Sequence, residues 1–227
     1  DVSAGGGSSQ DPGDTQAFGP VTASGTPLPE YTGDGEDPAV GQPAPTLIGE
    51  SPRGEEVTID PSEGPIVVVF LAHWCPHCNS FDPEFNAWMK SAPSFIHFRR
   101  VPVAFRPEMA PMQRLFYALE AVGMVGRMHG KVFEAYHKQR INLTTDAAIL
   151  QWAAQQPELK DGRFAQAYQS FGMSAKLNQA NQLVEAYAID GVPSLGVAGK
   201  YYLDGQTAKG LTRGIQIATA LATQERR

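Results

Sequence analysis

The stretch Ile66-Val67-Val68-Val69-Phe70-Leu71-Ala72-His73-Trp74-Cys75-Pro76-His77-Cys78 decides how this chain is read. Its opening run to Ala72 is apolar throughout and β-branched at the start, the pattern of a strand buried on both faces. A helix-like segment follows from Cys75 to about Ser91. Pro76 fits its first turn, where an amide hydrogen is not needed. Pro83 falls inside it, where a kink is expected. The two cysteines are the only ones in 227 residues. A strand that delivers Cys-x-x-Cys to the start of a helix is the layout of a dithiol/disulfide redox centre. A bridge between residues so close closes too small a loop to stabilise a fold much, so chemistry explains the pair better than stapling. His73 and His77 beside the thiols also suggest a metal set, but four ligands in so short a run strain tetrahedral geometry. No metal is expected.

Outward from this core, Thr46-Leu47-Ile48-Gly49 and Glu56-Val57-Thr58-Ile59 read as short strands around the turn Ser51-Pro52-Arg53-Gly54. Phe95 to Phe105 reads as another strand. Residues 107–172 change character: Met112, Leu115, Phe116, Leu119 and Val122 recur at helical spacing, as do Val125, Met128, Val132, Phe133 and Tyr136. A helix over Ala175 to Tyr187, a hairpin from Ser194–Ala198 to Tyr201–Leu203, and a last helix from about Thr207 to Ala222 complete the order. The expected fold is α/β, with residues 107–172 as a helical insertion between 46–106 and 173–227.

Residues 1–45 hold seven acidic residues and no Lys or Arg, and are rich in Gly, Ser, Pro and Thr. They read as a disordered acidic linker. The net charge is −6, which leaves the remainder near +1 and without a basic stripe, so nucleic-acid binding is not expected. The longest apolar runs are too short to span a bilayer. Among the histidines, His73 reads as a residue of the site's mouth or of an exposed loop, and His97, His129 and His137 as structural.

Strand, redox pair, helical block and closing hairpin together resemble the thioredoxin fold. Cys75-Pro76-His77-Cys78 with the insertion resembles the DsbA family of disulfide oxidoreductases. Gly191-Val192-Pro193-Ser194 is similar to that family's Gly-Val-Pro loop, which implies a cis Pro193 facing the disulfide. The resemblance covers roughly residues 66–220, and it departs at Val69, where the family usually carries an acid. Gly41-Gln42-Pro43-Ala44-Pro45 and Phe70-Leu71-Ala72-His73-Trp74 look more like TlpA-type thioredoxin proteins.

The resemblance implies an extracytoplasmic or periplasmic, monomeric oxidase, tethered to a membrane in its precursor if the linker serves as a stalk. It implies donation of the Cys75–Cys78 disulfide to reduced exported proteins, and reoxidation by a quinone-linked membrane partner of the DsbB or VKOR type. No cofactor is implied, since the sulfurs carry the electrons. The alternatives are a TlpA-like reductase and a client-binding or metallochaperone module without catalysis. Cys75 leads the helix, so the dipole and free amides favour its thiolate. His77 supports that anion and Cys78 resolves the mixed disulfide. Trp74, Val192 and Pro193 are the expected substrate contacts, through main-chain and apolar groups.

A stabilised thiolate favours the dithiol, so the reduced protein is expected to be the more stable form. Denaturant unfolding of both redox forms checks this; a clearly more stable oxidised form would count against a strong oxidant.

Overall fold

The computed structural model describes residues 22–24, 46–50, 56–59 and 64–226. The rest of the acidic stretch 1–45, and the turn read at Ser51–Gly54, lie outside the described residues. The described elements fall into two units. In the first, β1 (Thr22–Ser24), β2 (Thr46–Glu50) and β3 (Glu56–Ile59) form an antiparallel sheet in the order β1-β2-β3. β1 falls within the stretch read as a linker. Its backbone pairs with β2, Thr22 opposite Ile48 and Ser24 opposite Thr46.

The second unit is built on β4 (Ile66–Leu71). It runs parallel to β5 (His97–Pro102) and antiparallel to β6 (Ser194–Val197), which pairs in turn with β7 (Tyr201–Leu203). The strand order is β5-β4-β6-β7. Side chains alternate across a strand, and β4 uses both of its faces. Val68 and Phe70 enter one core with Val101, Met112, Leu115, Phe116 and Leu119. Val67, Val69 and Leu71 enter the other with Phe81, Phe85, Val197 and Ile215.

The second of these cores is covered by α1 (Pro76–Ser91) and α7 (Leu211–Gln224). α1 buries Cys78, Phe81, Phe85 and Trp88, one stripe at helical spacing. The other core is covered by the block expected at 107–172. Here α2 (Ala110–Ala121), α3 (Val125–His137), α4 (Asp146–Gln155) and α5 (Arg163–Tyr168) follow one another, with short 3-10 turns at Pro107–Met109 and Pro157–Leu159. α6 (Met173–Ala186) leads back to β6. This is the thioredoxin fold with a helical insertion. No helix among the described residues is long and apolar enough to cross a membrane.

The last helix starts later than its apolar pattern suggests. The Asp204 carboxylate accepts from the amides of Gln206 and Thr207 and closes a turn there. Lys209 and Gly210 then take positive φ, which no right-handed helix accommodates, so α7 begins at Leu211.

Gly196 on β6 is required by close approach. A Cβ there would lie 2.5 Å from Cε1 of Tyr187, whose ring packs against Phe70 with centroids 5.3 Å apart. Gly196→Ala is expected to cost about 1–3 kcal/mol of stability, the usual penalty of overpacking, as read from urea unfolding.

Candidate active site

Cys75 sits at the N-cap of α1 with extended backbone (φ −82, ψ 119). A side-chain acceptor at this position satisfies one of the helix's free amides. Here the acceptor is sulfur: the Cys78 amide donates to Cys75 Sγ at 3.4 Å. The Ala72 amide at the end of the strand donates to Cys78 Sγ, also at 3.4 Å. Both cysteines are free thiols, 4% and 2% exposed, whereas Pro76 and His77 between them are exposed.

The two sulfurs differ in acidity. The hydrogen bond from the Cys78 thiol lowers the Cys75 pKa most. Burial opposes it, and the amides of Cys78 and His77 with the His77 side chain add to the lowering, for a value of about 6. Burial pushes the Cys78 thiol strongly up, and its bond to Cys75 and the charge there push it further. One sulfur is thus set to be a thiolate near neutral pH and the other to hold its proton.

Folding brings the distant loop to this pair. The Val192–Pro193 bond is cis, as the resemblance implied. The Val192 carbonyl lies 3.3 Å from Cys75 Sγ and accepts from it when it is a thiol. Pro193 lines a small cavity beside Cys78 together with Val69, Leu71, Phe81, Asp82, Phe85 and Phe133. Trp74 is half-buried, edge-on to Phe105 with centroids 6.2 Å apart.

His73 is neither at the mouth nor in an exposed loop. It is 1% exposed, enclosed by the rings of Phe116, His129 and Phe133. Its Nε2 lies 2.9 Å from Nδ1 of His129. The His73 carbonyl accepts from Nε2 of His137 at 2.7 Å. Burial, then the neighbouring His129, His137 and Arg100, push its pKa well below the ordinary value, so its ring is neutral.

Sequence reasoning missed the charged cluster behind the pair. Asp82 Oδ1 lies 3.1 Å from Nε2 of His129 and 4.0 Å from Arg100, and Oδ2 accepts from Asn86 at 2.7 Å. Arg100 also donates to Asn86. Burial pushes the Asp82 carboxyl up, but the bond and charge of His129 with Arg100 and Asn86 outweigh it and hold the pKa below the usual range. One signal for Asp82 was legible: it lies four residues after Cys78, on the same face of α1. Arg100 and His129 arrive from β5 and α3, and nothing local announces them.

A family model described as the DSBA-like thioredoxin domain matches residues 66–222. The chain is 42% identical over 135 residues to the thiol:disulfide interchange protein DsbA of Burkholderia cepacia, covering 60% of this chain and 63% of that protein, just under two thirds of its length. Against the protein of the same name from Azotobacter vinelandii it is 38% identical over 160 residues, covering 70% of this chain and 74% of that one. The crystal structure of Pseudomonas aeruginosa DsbA superposes with a TM-score of 0.68 at 32% identity, covering 72% of this chain and 85% of that chain.

Alkylation of the reduced protein should modify Cys75 with an inflection near pH 6 and leave Cys78 untouched. Because the folded pKa is depressed, the thiolate's stabilisation of the reduced form is lost as pH falls through that value. Mass-resolved alkylation and urea unfolding at a series of pH values check both statements.

Proposed function

We propose a function from one premise: this chain belongs to the family of DSBA-like thioredoxin domains. It is a thiol:disulfide oxidase of the DsbA kind, which donates the Cys75–Cys78 disulfide to reduced proteins. The observation that carries this reading is the unequal acidity of the two sulfurs. A thiolate of low pKa is a good leaving group and a stable product, so the disulfide is an oxidant.

In donation, a substrate thiolate attacks Cys75 Sγ, and the Cys75–Cys78 bond breaks with Cys78 as leaving group. Cys78 takes up a proton. A second substrate thiolate then attacks the substrate sulfur of the mixed disulfide and expels the Cys75 thiolate. The substrate gains a disulfide and the protein two electrons. The Val192 carbonyl, next to the reacting sulfur, offers an extended substrate a main-chain acceptor, as in strand addition. Pro193 and Trp74 supply apolar contact. Pro76 opens the helix at its first turn, and His77 lends hydrogen bonds to the thiolate.

The setting that suits this chemistry is an oxidising compartment outside the cytoplasm. Clients are reduced exported proteins, met by a monomer, and reoxidation falls to a quinone-linked membrane protein of the DsbB or VKOR type. We further assign residues 1–45 outside β1 as an acidic linker, and 107–172 as an insertion between two parts of the thioredoxin domain that lie within 46–106 and 173–227.

Equilibration against a glutathione series, followed by tryptophan fluorescence, tests the direction. An oxidase is expected near the DsbA value of about −120 mV; a value near thioredoxin's, about −270 mV, would make the protein a reductase. Cys75→Ser is expected to abolish disulfide donation to a reduced, unfolded test protein.

A further inference from the structure

The turn between β4 and α1 spaces the two sulfurs. The Cys75 amide donates to the Ala72 carbonyl at 3.0 Å, which closes a β-turn with His73 and Trp74 at its centre. Both ends of this turn touch a sulfur. The Ala72 amide donates to Cys78 Sγ at 3.4 Å. Cys75 begins the helix in the extended conformation that lets its own sulfur accept from the Cys78 amide. The middle peptide, between His73 and Trp74, is gripped from outside: the His73 carbonyl accepts from Nε2 of His137 at 2.7 Å. A carbonyl only accepts, so His137 carries its hydrogen on Nε2. His137 is the last residue of α3, 64 residues further along the chain.

We propose that His137 is a positioning residue of the redox site, whose bond to the His73 carbonyl holds the Ala72–Cys75 turn in the form that presents Cys75 Sγ to Cys78 and to the first amides of α1. Resting on the oxidase reading, this makes the helical insertion a determinant of how oxidising the disulfide is. The orientation of its middle peptide is what distinguishes one β-turn type from another, and it fixes the direction in which the chain leaves the turn. His73 is 1% exposed, so its carbonyl is shut off from solvent. Without a donor it is a buried acceptor left unpaired, which is costly. Rotation of the peptide relieves that cost and carries Cys75 off the cap. The His73 ring is pinned separately, by His129 at 2.9 Å and by the rings of Phe116 and Phe133. The backbone peptide is therefore the part that His137 alone restrains among these contacts.

The hold acts on the chemistry through distance. The Cys78 thiol, then the amides of Cys78 and His77 with the His77 side chain, lower the Cys75 pKa against burial, and all of them act at hydrogen-bond range. A sulfur displaced from these donors is a weaker acid, a poorer leaving group from the mixed disulfide and a less stable product. The electron balance of donation is untouched: the substrate loses two electrons and the protein gains them, whatever stands at position 137. His137 contacts neither substrate nor sulfur, and only the position of the equilibrium depends on it. Its ring also stacks on Phe133 with centroids 6.0 Å apart. A variant that keeps an aromatic ring there isolates the hydrogen bond from the packing.

Two readouts on the full chain test this: iodoacetamide alkylation of the reduced protein over a pH series, resolved by mass, and equilibration against glutathione. His137→Phe keeps the aromatic stack and removes the donor. It is expected to raise the Cys75 inflection by about one pH unit and to lower the equilibrium constant for glutathione oxidation about tenfold, a fall of about 30 mV in potential. His137→Gln, whose amide N–H reaches the carbonyl, should restore most of both. A merely structural His137 would lower the urea midpoint of the Phe variant without moving its inflection or constant, and that result would overturn the proposal. Equal displacement in the Phe and Gln variants would overturn it too, because packing and not the hydrogen bond would then be responsible. If the Phe variant does not fold, His137→Asn, with an amide too short to reach, takes its place, and an inflection equal to that of the Gln variant decides against the proposal. A wild-type constant near thioredoxin's would sink the oxidase reading alone, since the comparison of variants would still show whether His137 positions Cys75.

Discussion

The site depends on the hydrogen bond from the Cys78 amide to the Cys75 sulfur at the first turn of α1. It makes the sulfur a helix cap, so the group that does the chemistry also completes the secondary structure. A capping acceptor is favoured where it is most negative. Ionisation of Cys75 therefore strengthens the cap. The same interaction completes the helix and adds to the larger effect of the Cys78 thiol in lowering the pKa of the nucleophile, and the cap is in place because β4, buried on both faces, ends at Leu71 and delivers the chain directly into the turn.

Burial then separates the two thiols. Helical geometry turns Cys78 inward, into the stripe with Phe81 and Phe85, where desolvation penalises its anion. Cys75 stays at the helix end with free amides around it. The Val192–Pro193 loop closes over the pair from β6, which adjoins β4 in the sheet. Sheet order is what places a loop more than a hundred residues away within reach of the nucleophile.

The helical insertion also takes part in the site. α3 holds the approach to the redox pair at two points on one residue: His129 meets the His73 ring, and His137 meets its carbonyl. Those histidines are two turns apart on one helix face, which is the reach of the short segment they grip. The same helix offers His129 to Asp82, so an otherwise isolated, partly buried carboxylate is paired with His129 and Arg100. Burial without such partners would be costly.

Much of this was legible in the sequence because local patterns encode it. The apolar run of β4, the proline at the start of α1, the spacing of Met112, Leu115, Phe116 and Leu119, and the hairpin around Gly199 each follow from short-range geometry. The chemistry of Cys75 and Cys78 was legible for the same reason, since strand, cap and first turn are contiguous. The start of α7 was misplaced because an Asp204 side-chain turn and two positive-φ residues override an apolar period. β1 was read as linker because so short a segment becomes a strand only through its partner. His73 was misread because its burial is conferred by Phe116, His129 and Phe133, all from the insertion. The sequence by itself determined the redox pair, the order of elements and which sulfur leads. Tertiary structure alone decided what stands behind that pair, because Asp82, Arg100 and His129 come from three separate elements, and side chains so distant along the chain meet only when the sheet and both helical layers close.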